Sequence, residues 1–118
     1  MSLQVKRVYD KPSLKDGRRF LVERLWPRGV KRDAVRIDGW LKEVAPSDAL
    51  RRWYAHDVVK WNEFRERYVE ELDRNPEPVG LLLEAARHGP VTLVYSARDT
   101  DHNSALVLRQ YLEKKARG

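Results

Sequence analysis

A chain of 118 residues is long enough for one domain with a sizeable core and too short for two ordinary ones. It has no cysteine, which excludes a disulfide framework, a thiolate nucleophile, an iron–sulfur cluster and every zinc site built on Cys ligands, and no stretch approaches the roughly 20 apolar residues of a membrane span. With 24 basic and 18 acidic side chains the net charge is +6, and 16 of the cations are Arg; this favours anionic partners, although no run of like charges forms a nucleic-acid-binding arm.

Residues 1–118 are therefore expected to form one domain of a cytoplasmic protein with no membrane partner, since Met1 to Lys6 holds no apolar leader. Leu3, Val5, Val8 and Tyr9 predict a strand ending at Asp10, and the stretch from Lys11-Pro12-Ser13 to Asp16-Gly17 is punctuated like a loop. Phe20, Leu21, Val22 and Leu25 predict a second strand over Arg19 to Trp26, stopped by Pro27, which cannot donate to a central ladder. From Ile37 to Leu50 short helical pieces are expected: Ile37, Trp40 and Leu41 fit one helical face, and Ser47 is placed to cap a helix over Asp48 to Tyr54.

Trp61, Phe64, Tyr68 and Leu72 recur at three- and four-residue steps among charged neighbours, the pattern of an amphipathic helix on a core. Asn75-Pro76 and Pro78 close that helix and open another, Val79 to Arg87, which His88-Gly89-Pro90 ends. Val91 to Tyr95 is a short, largely β-branched apolar run that suits a strand covered on both faces. A last helix, about His102 to Ala116, offers Ala105, Leu108 and Leu112 to the core. Strands interleaved with helices predict an α/β fold in which a small, mainly parallel sheet is flanked by helices.

In such a sheet ligands gather at the carboxyl ends of the strands. The third apolar strand delivers Ser96, Arg98, Asp99, His102 and Asn103 into the turn that opens the last helix, whose free N–H groups favour an anion. The second strand brings Arg24, Trp26 and Arg28, and the first brings Tyr9 and Asp10. His56-Asp57 supplies a second imidazole beside a carboxylate, a pair able to move a proton near neutral pH. The candidate catalytic set is therefore His102, His56, Asp99 and Asp10, and the candidate binding set is Tyr9, Arg24, Trp26, Arg28, Ser96, Arg98 and Asn103. The purely structural reading of the same residues has Asp101 or Thr100 capping the helix and Trp26 packed in the core. No Walker loop, dinucleotide fingerprint, nucleophile elbow or His-Glu-x-x-His pair is present, and three scattered histidines predict no metal site.

Taken together, Arg7-Val8-Tyr9-Asp10, Leu21 to Gly29, Trp40-Leu41-Lys42, Ala45-Pro46-Ser47, Leu50 to Trp53, His56-Asp57, Trp61 with Phe64 and Tyr68, and Thr92 to Asp99 give the chain its resemblance to the YeaO-like branch of the bacterial domain-of-unknown-function family 488. The resemblance spans nearly the whole chain and implies a compact α/β fold, with no established reaction or cofactor to transfer. Glu23 stands where that pattern leads one to expect Asp, and a Cys-His-Arg group of more distant members, near His102-Asn103 here, has lost its cysteine, so no thiol mechanism carries over.

The expected function is binding or turnover of an anionic small molecule of nucleotide or sugar-phosphate type. Arg24, Arg28 and Arg98 would hold the anion, His102 or His56 would exchange a proton, and Asp10 and Asp99 would orient that imidazole or a water. The alternatives are a nucleic-acid-binding module using Trp53 or Trp61 as stacking platforms, and a non-catalytic interaction protein.

Overall fold

In the computed structural model, which describes residues 2–118, four strands are formed by Leu3–Arg7 (β1), Arg18–Leu21 (β2), Gly39–Trp40 (β3) and Val91–Tyr95 (β4), and four helices by Asp48–Tyr54 (α1), Trp61–Asp73 (α2), Pro76–His88 (α3) and Ser104–Arg117 (α4). The strands make one sheet in the order β1-β4-β2-β3, and every pairing is parallel. The strand latest in sequence thus lies between the first two. All five residues of β4 are buried, as its unbroken apolar run predicts for a strand covered on both faces.

Alternation along the strands divides the interior in two. Leu3, Phe20, Val22, Leu93 and Tyr95 face the helices and pack with Tyr68, Leu72, Leu82, Leu108 and Leu112. On the opposite face Val8, Leu21 and Val94 lie beneath Trp26, Val30, Val35, Ile37 and Trp40, so the connection from β2 to β3 covers the sheet where a helical layer would otherwise do so.

Three elements depart from the sequence expectation. β2 stops at Leu21 rather than Trp26: the Val22 amide still donates to the Val94 carbonyl, but beyond it the Trp26 indole donates to the Val30 carbonyl at 2.6 Å and meets Trp40 edge-on. β1 likewise ends at Arg7, where a turn brings the Asp10 amide to the Arg7 carbonyl. Gly39 and Trp40 form the edge strand β3 instead of helix, because the amides of Asp38 and Leu41 donate to the carbonyls of Arg19 and Leu21. Glycine permits that pairing, since a Cβ at position 39 would lie 2.9 Å from the Phe20 ring.

Under the loop-covered face sits a buried charged cluster. Arg19 is fully buried; its guanidinium donates to the Asp16 carboxylate at 2.5 Å and to the Arg36 carbonyl at 2.6 Å. Lys6 reaches the same carboxylate at 3.2 Å, and the Thr92 hydroxyl donates to the Asp16 carbonyl. Burial pushes the Asp16 carboxyl up, but the Ser13 amide, Lys6 and Arg19 outweigh that push and hold it below its ordinary 3.8.

A carboxyl depressed on folding stabilises the fold above its ordinary value and loses that contribution as pH falls through the depressed one. Asp16→Asn leaves the Arg19 charge buried without its counter-ion and is expected to cost about 3–5 kcal/mol in urea denaturation at pH 7. The gap between variant and parent should close as pH falls below the ordinary carboxylate range; a gap that does not change with pH would contradict the assignment.

Candidate functional site

At the carboxyl ends of β2 and β4 the chain leaves a crevice of ≈ 600 Å³ on the helix-covered side, walled by β2 and β4, α1, the start of α2 and the entry to α4. Its shape depends on how the two strand ends are joined. The Glu23 carboxylate accepts the Ser96 amide at 2.6 Å and the Ser96 hydroxyl at 2.9 Å, tying the residue after Val22 to the residue after Tyr95. The next residue, Arg24, is turned into the framework, its guanidinium donating to the carbonyls of Ala45 and Pro46 at 3.0 and 3.2 Å.

The turn from Ala97 to Asn103 is built around Asp99. One carboxylate oxygen accepts the amides of Asp101 and His102 at 2.9 and 3.0 Å, and the other lies 3.0 Å from Nδ1 of His102. The Asp101 amide, followed by the His102 ring and amide, holds the Asp99 carboxyl below its ordinary value despite some desolvation. Asn103 caps α4 by accepting the Leu106 amide and donates to the Asp99 carbonyl, while the guanidinium of Arg7 secures the Ala97 carbonyl at 2.9 Å. The His102 ring meets the indole of Trp61 edge-on, with centroids 5.2 Å apart.

The opposite wall comes from α1. Arg51 and Tyr54, three residues apart, share a helix face that turns to the crevice. Tyr54 stacks on Phe64, and burial, with the carboxylates of Asp99 and Asp57 nearby, pushes its hydroxyl up, so at neutral pH it is a hydrogen-bond donor. α1 ends with Ala55 and His56 both left-handed, at φ of 46° and 58°. Two successive non-glycine residues in that region are unusual, and they fold the His56 ring back to within 6.2 Å of Tyr54.

Of the residues singled out from sequence, Arg24, His56, Ser96, Arg98, Asp99, His102 and Asn103 line the crevice. Tyr9, Asp10, Trp26 and Arg28 do not line it. Trp26 is packed into the loop-covered layer beneath Arg32, Tyr9 donates to the Arg28 carbonyl at 3.2 Å, and Asp10 and Arg28 are exposed. For Trp26 and Arg28 the physical reason is the early end of β2, since strand alternation no longer governs them once the chain leaves the ladder after Val22; Tyr9 and Asp10 follow β1, which ends at Arg7 on the other side of β4 from β2. Sequence reasoning did not select Glu23, Arg51 or Tyr54 for the site. The i, i+3 spacing of Arg51 and Tyr54 was available as a signal, whereas the role of Glu23 depends on the distant Ser96. Among the described residues no group of three or more potential ligands is placed to hold a metal ion, and no helix is long and apolar enough to cross a membrane.

A family model described as the inactive DUF488-N3 subclade matches residues 2–117. The chain is 45% identical over 112 residues to the uncharacterized protein YeaO of Escherichia coli K12, covering 95% of this chain and 97% of that protein. It is 39% identical over 110 residues to the uncharacterized proteins Rv3073c of Mycobacterium tuberculosis and Mb3100c of Mycobacterium bovis, covering 93% of this chain and 92% of each. No solved structure matches it significantly.

Because Glu23 is the tie between the two strand ends, Glu23→Ala should strip the Ser96 amide of its acceptor, at a cost of about 1–3 kcal/mol, and speed hydrogen exchange at that amide. Glu23→Gln keeps an acceptor oxygen and should lose less than half as much. Equal losses in the two variants would show that the carboxylate is not what joins the strands.

Proposed function

The chain belongs to the inactive DUF488-N3 subclade, and from that premise we propose that it is a cytoplasmic domain that binds an anionic small molecule, of nucleotide or sugar-phosphate type, in the crevice at the carboxyl ends of β2 and β4. The observation that carries this reading is the distribution of engaged and free charge. Both carboxylates of the crevice wall are engaged internally, Glu23 with Ser96 and Asp99 with its own turn. Arg98, by contrast, is exposed and makes no hydrogen bond or ion pair among the described residues. Arg51 is held only by the exposed Asp48, an interaction of little energy in water.

An anion entering the crevice therefore meets the unpaired guanidinium of Arg98 and the weakly paired one of Arg51, with the Tyr54 hydroxyl at hand as a donor and the rings of His56 and His102 on the same walls. A volume of ≈ 600 Å³ lies within the usual range for small-molecule sites and exceeds what a bare phosphate fills, so the organic part of a nucleotide or sugar phosphate has room against Tyr54 and Phe64. Asp99 orients His102 in the geometry of a proton-transfer pair, but the subclade's description as inactive favours binding over turnover.

The nucleic-acid alternative has less support. Trp53 carries Arg67 at 4.3 Å and Lys60 at 5.1 Å from its ring, and Trp61 is packed against Tyr54, Phe64 and His102, so both indoles are already engaged by side chains of the protein.

The test is a thermal-shift screen against nucleotides, sugar phosphates, simple anions and short oligonucleotides at two salt concentrations. A small anion present at 100 times its Kd should add about 2.7 kcal/mol of stability. Arg98→Ala should abolish that gain without lowering the melting temperature of the free protein, because the side chain is exposed. Stabilisation that survives Arg98→Ala, or stabilisation by oligonucleotides alone that salt removes, would refute the reading.

A further inference from the structure

The charge of the chain is unevenly placed. Residues 1–42 carry 12 of the 24 basic side chains and only 5 of the 18 acidic ones, a net charge of +7, whereas residues 43–118 stand at −1. The first segment supplies β1, β2 and β3 and the layer from Trp26 to Trp40 that covers the sheet opposite the helices. Pairing sharpens the contrast. On the helices Arg51, Arg67, Arg87 and Arg109 each meet a carboxylate one turn away. In the first segment Asp16 is held in the buried cluster, Glu23 by Ser96, and Asp38 by the Arg19 amide at 2.7 Å. Asp10 and Asp33 are then its exposed carboxylates, and neither forms an ion pair among the described residues.

Five exposed cations, Arg28, Lys31, Arg32, Arg36 and Lys42, belong to the covering layer or its exit, and among the described residues none of them pairs with a carboxylate. Arg32 stands 4.8 Å from the Trp26 ring and 5.2 Å from the Trp40 ring, and Lys42 stands 4.1 Å from the Trp40 ring, so both lie over the same indole pair. Arg36 donates to the Gly17 carbonyl at 2.7 Å, which positions the guanidinium without cancelling its charge. The apolar side chains of the layer are spent inward: Val30, Val35 and Ile37 pack with Leu21 and Val94, and no large apolar side chain from Trp26 to Lys42 is exposed. A protein interface core or a membrane surface would need such apolar area. Both indoles are engaged by cations, so this face is not built to stack the bases of a single strand. An array of unneutralised Arg and Lys without apolar area or free rings matches phosphates displayed along a duplex.

We propose that the loop-covered face of the sheet is a sequence-independent docking surface for the phosphate backbone of double-stranded nucleic acid. Arg28, Lys31, Arg32, Arg36 and Lys42 each engage a phosphate oxygen, and no base edge is read. None of these residues lines the anion crevice, so each site stands without the other.

The experiment measures fluorescence anisotropy of labelled DNA and RNA duplexes of about 20 base pairs with full-length protein, the tighter of the two identifying the source of the backbone. Five phosphate contacts give a slope of log affinity against log salt of about −4.5, so raising salt from about 50 to about 100 mM should weaken binding about twentyfold. Arg28→Ala with Lys31→Ala removes two exposed side chains that make no hydrogen bond or ion pair among the described residues, and should leave the melting temperature and any small-anion stabilisation unchanged. It should weaken duplex binding at least tenfold and lower the magnitude of the slope by about 2. Lys114→Ala with Lys115→Ala removes the same charge from α4 and should change duplex affinity less than twofold, and Arg98→Ala should leave it unaltered. No binding of either duplex at the lower salt, equal weakening by the two double variants, tighter binding of a single strand of the same length, or tighter binding of polyglutamate or of phosphatidylglycerol vesicles would each overturn the proposal.

Discussion

The carboxylate of Glu23 ties the exit of β2 to the exit of β4, and the shape of the crevice follows from that tie. Parallel neighbours hold each other along the ladder but have nothing to align them once the ladder ends. Here two hydrogen bonds to Ser96 continue the alignment one residue further, and one of them satisfies a backbone donor that the strand pairing leaves open. With Ser96 fixed, Ala97 is anchored by Arg7, and the Asp99 turn can deliver His102 and Asn103 to the start of α4. Arg24, the next residue, binds the same strand end to the Ala45–Pro46 segment that leads into α1. The crevice is thus framed by groups engaged with the protein itself, and this leaves Arg98 as the free charge at its mouth.

Charge is handled differently at the two sides of the sheet. Beneath the loop-covered face, Arg19 and Lys6 converge on Asp16, the Arg36 carbonyl accepts a second Arg19 N–H, and Thr92 donates to the Asp16 carbonyl. Such a network makes the loop layer specific, because the connection carrying Arg36 and Asp38 must lie where Arg19 can meet it. At the crevice the pairing is incomplete by one guanidinium, and the deficit opens to solvent. In the proposed anion-binding reading Arg98 is the cation a ligand would meet, because Arg19 on the other side of the sheet is already held by Asp16.

The elements that a local pattern governs were legible in the sequence. The helical stripe of Trp61, Phe64, Tyr68 and Leu72, the Ser47 cap and the apolar run of β4 each specify their structure within a few residues, and all three form as read. What escaped was set by distant partners. Ile37 and Trp40 have helical spacing, yet the carbonyls of Arg19 and Leu21 draw that segment into the sheet edge. Trp26 has strand character, yet Trp40 and the Val30 carbonyl hold it in the second layer, and Arg28 is carried away from the crevice with it. The half of the candidate site after β4 was readable because strand, turn and helix are contiguous there; from the α1 half His56 was read, whereas Arg51 and Tyr54 were not, because their placement depends on how α1 docks against α2.

The claim that the crevice is the ligand site is tested most directly by recording amide chemical shifts of the full chain while adding a nucleoside monophosphate. The account predicts changes confined to Ser96–Ser104 and Arg51–His56, the two segments that frame Arg98 and His102. Changes centred on Lys114–Arg117, or an unperturbed spectrum across nucleotides and sugar phosphates alike, would contradict it.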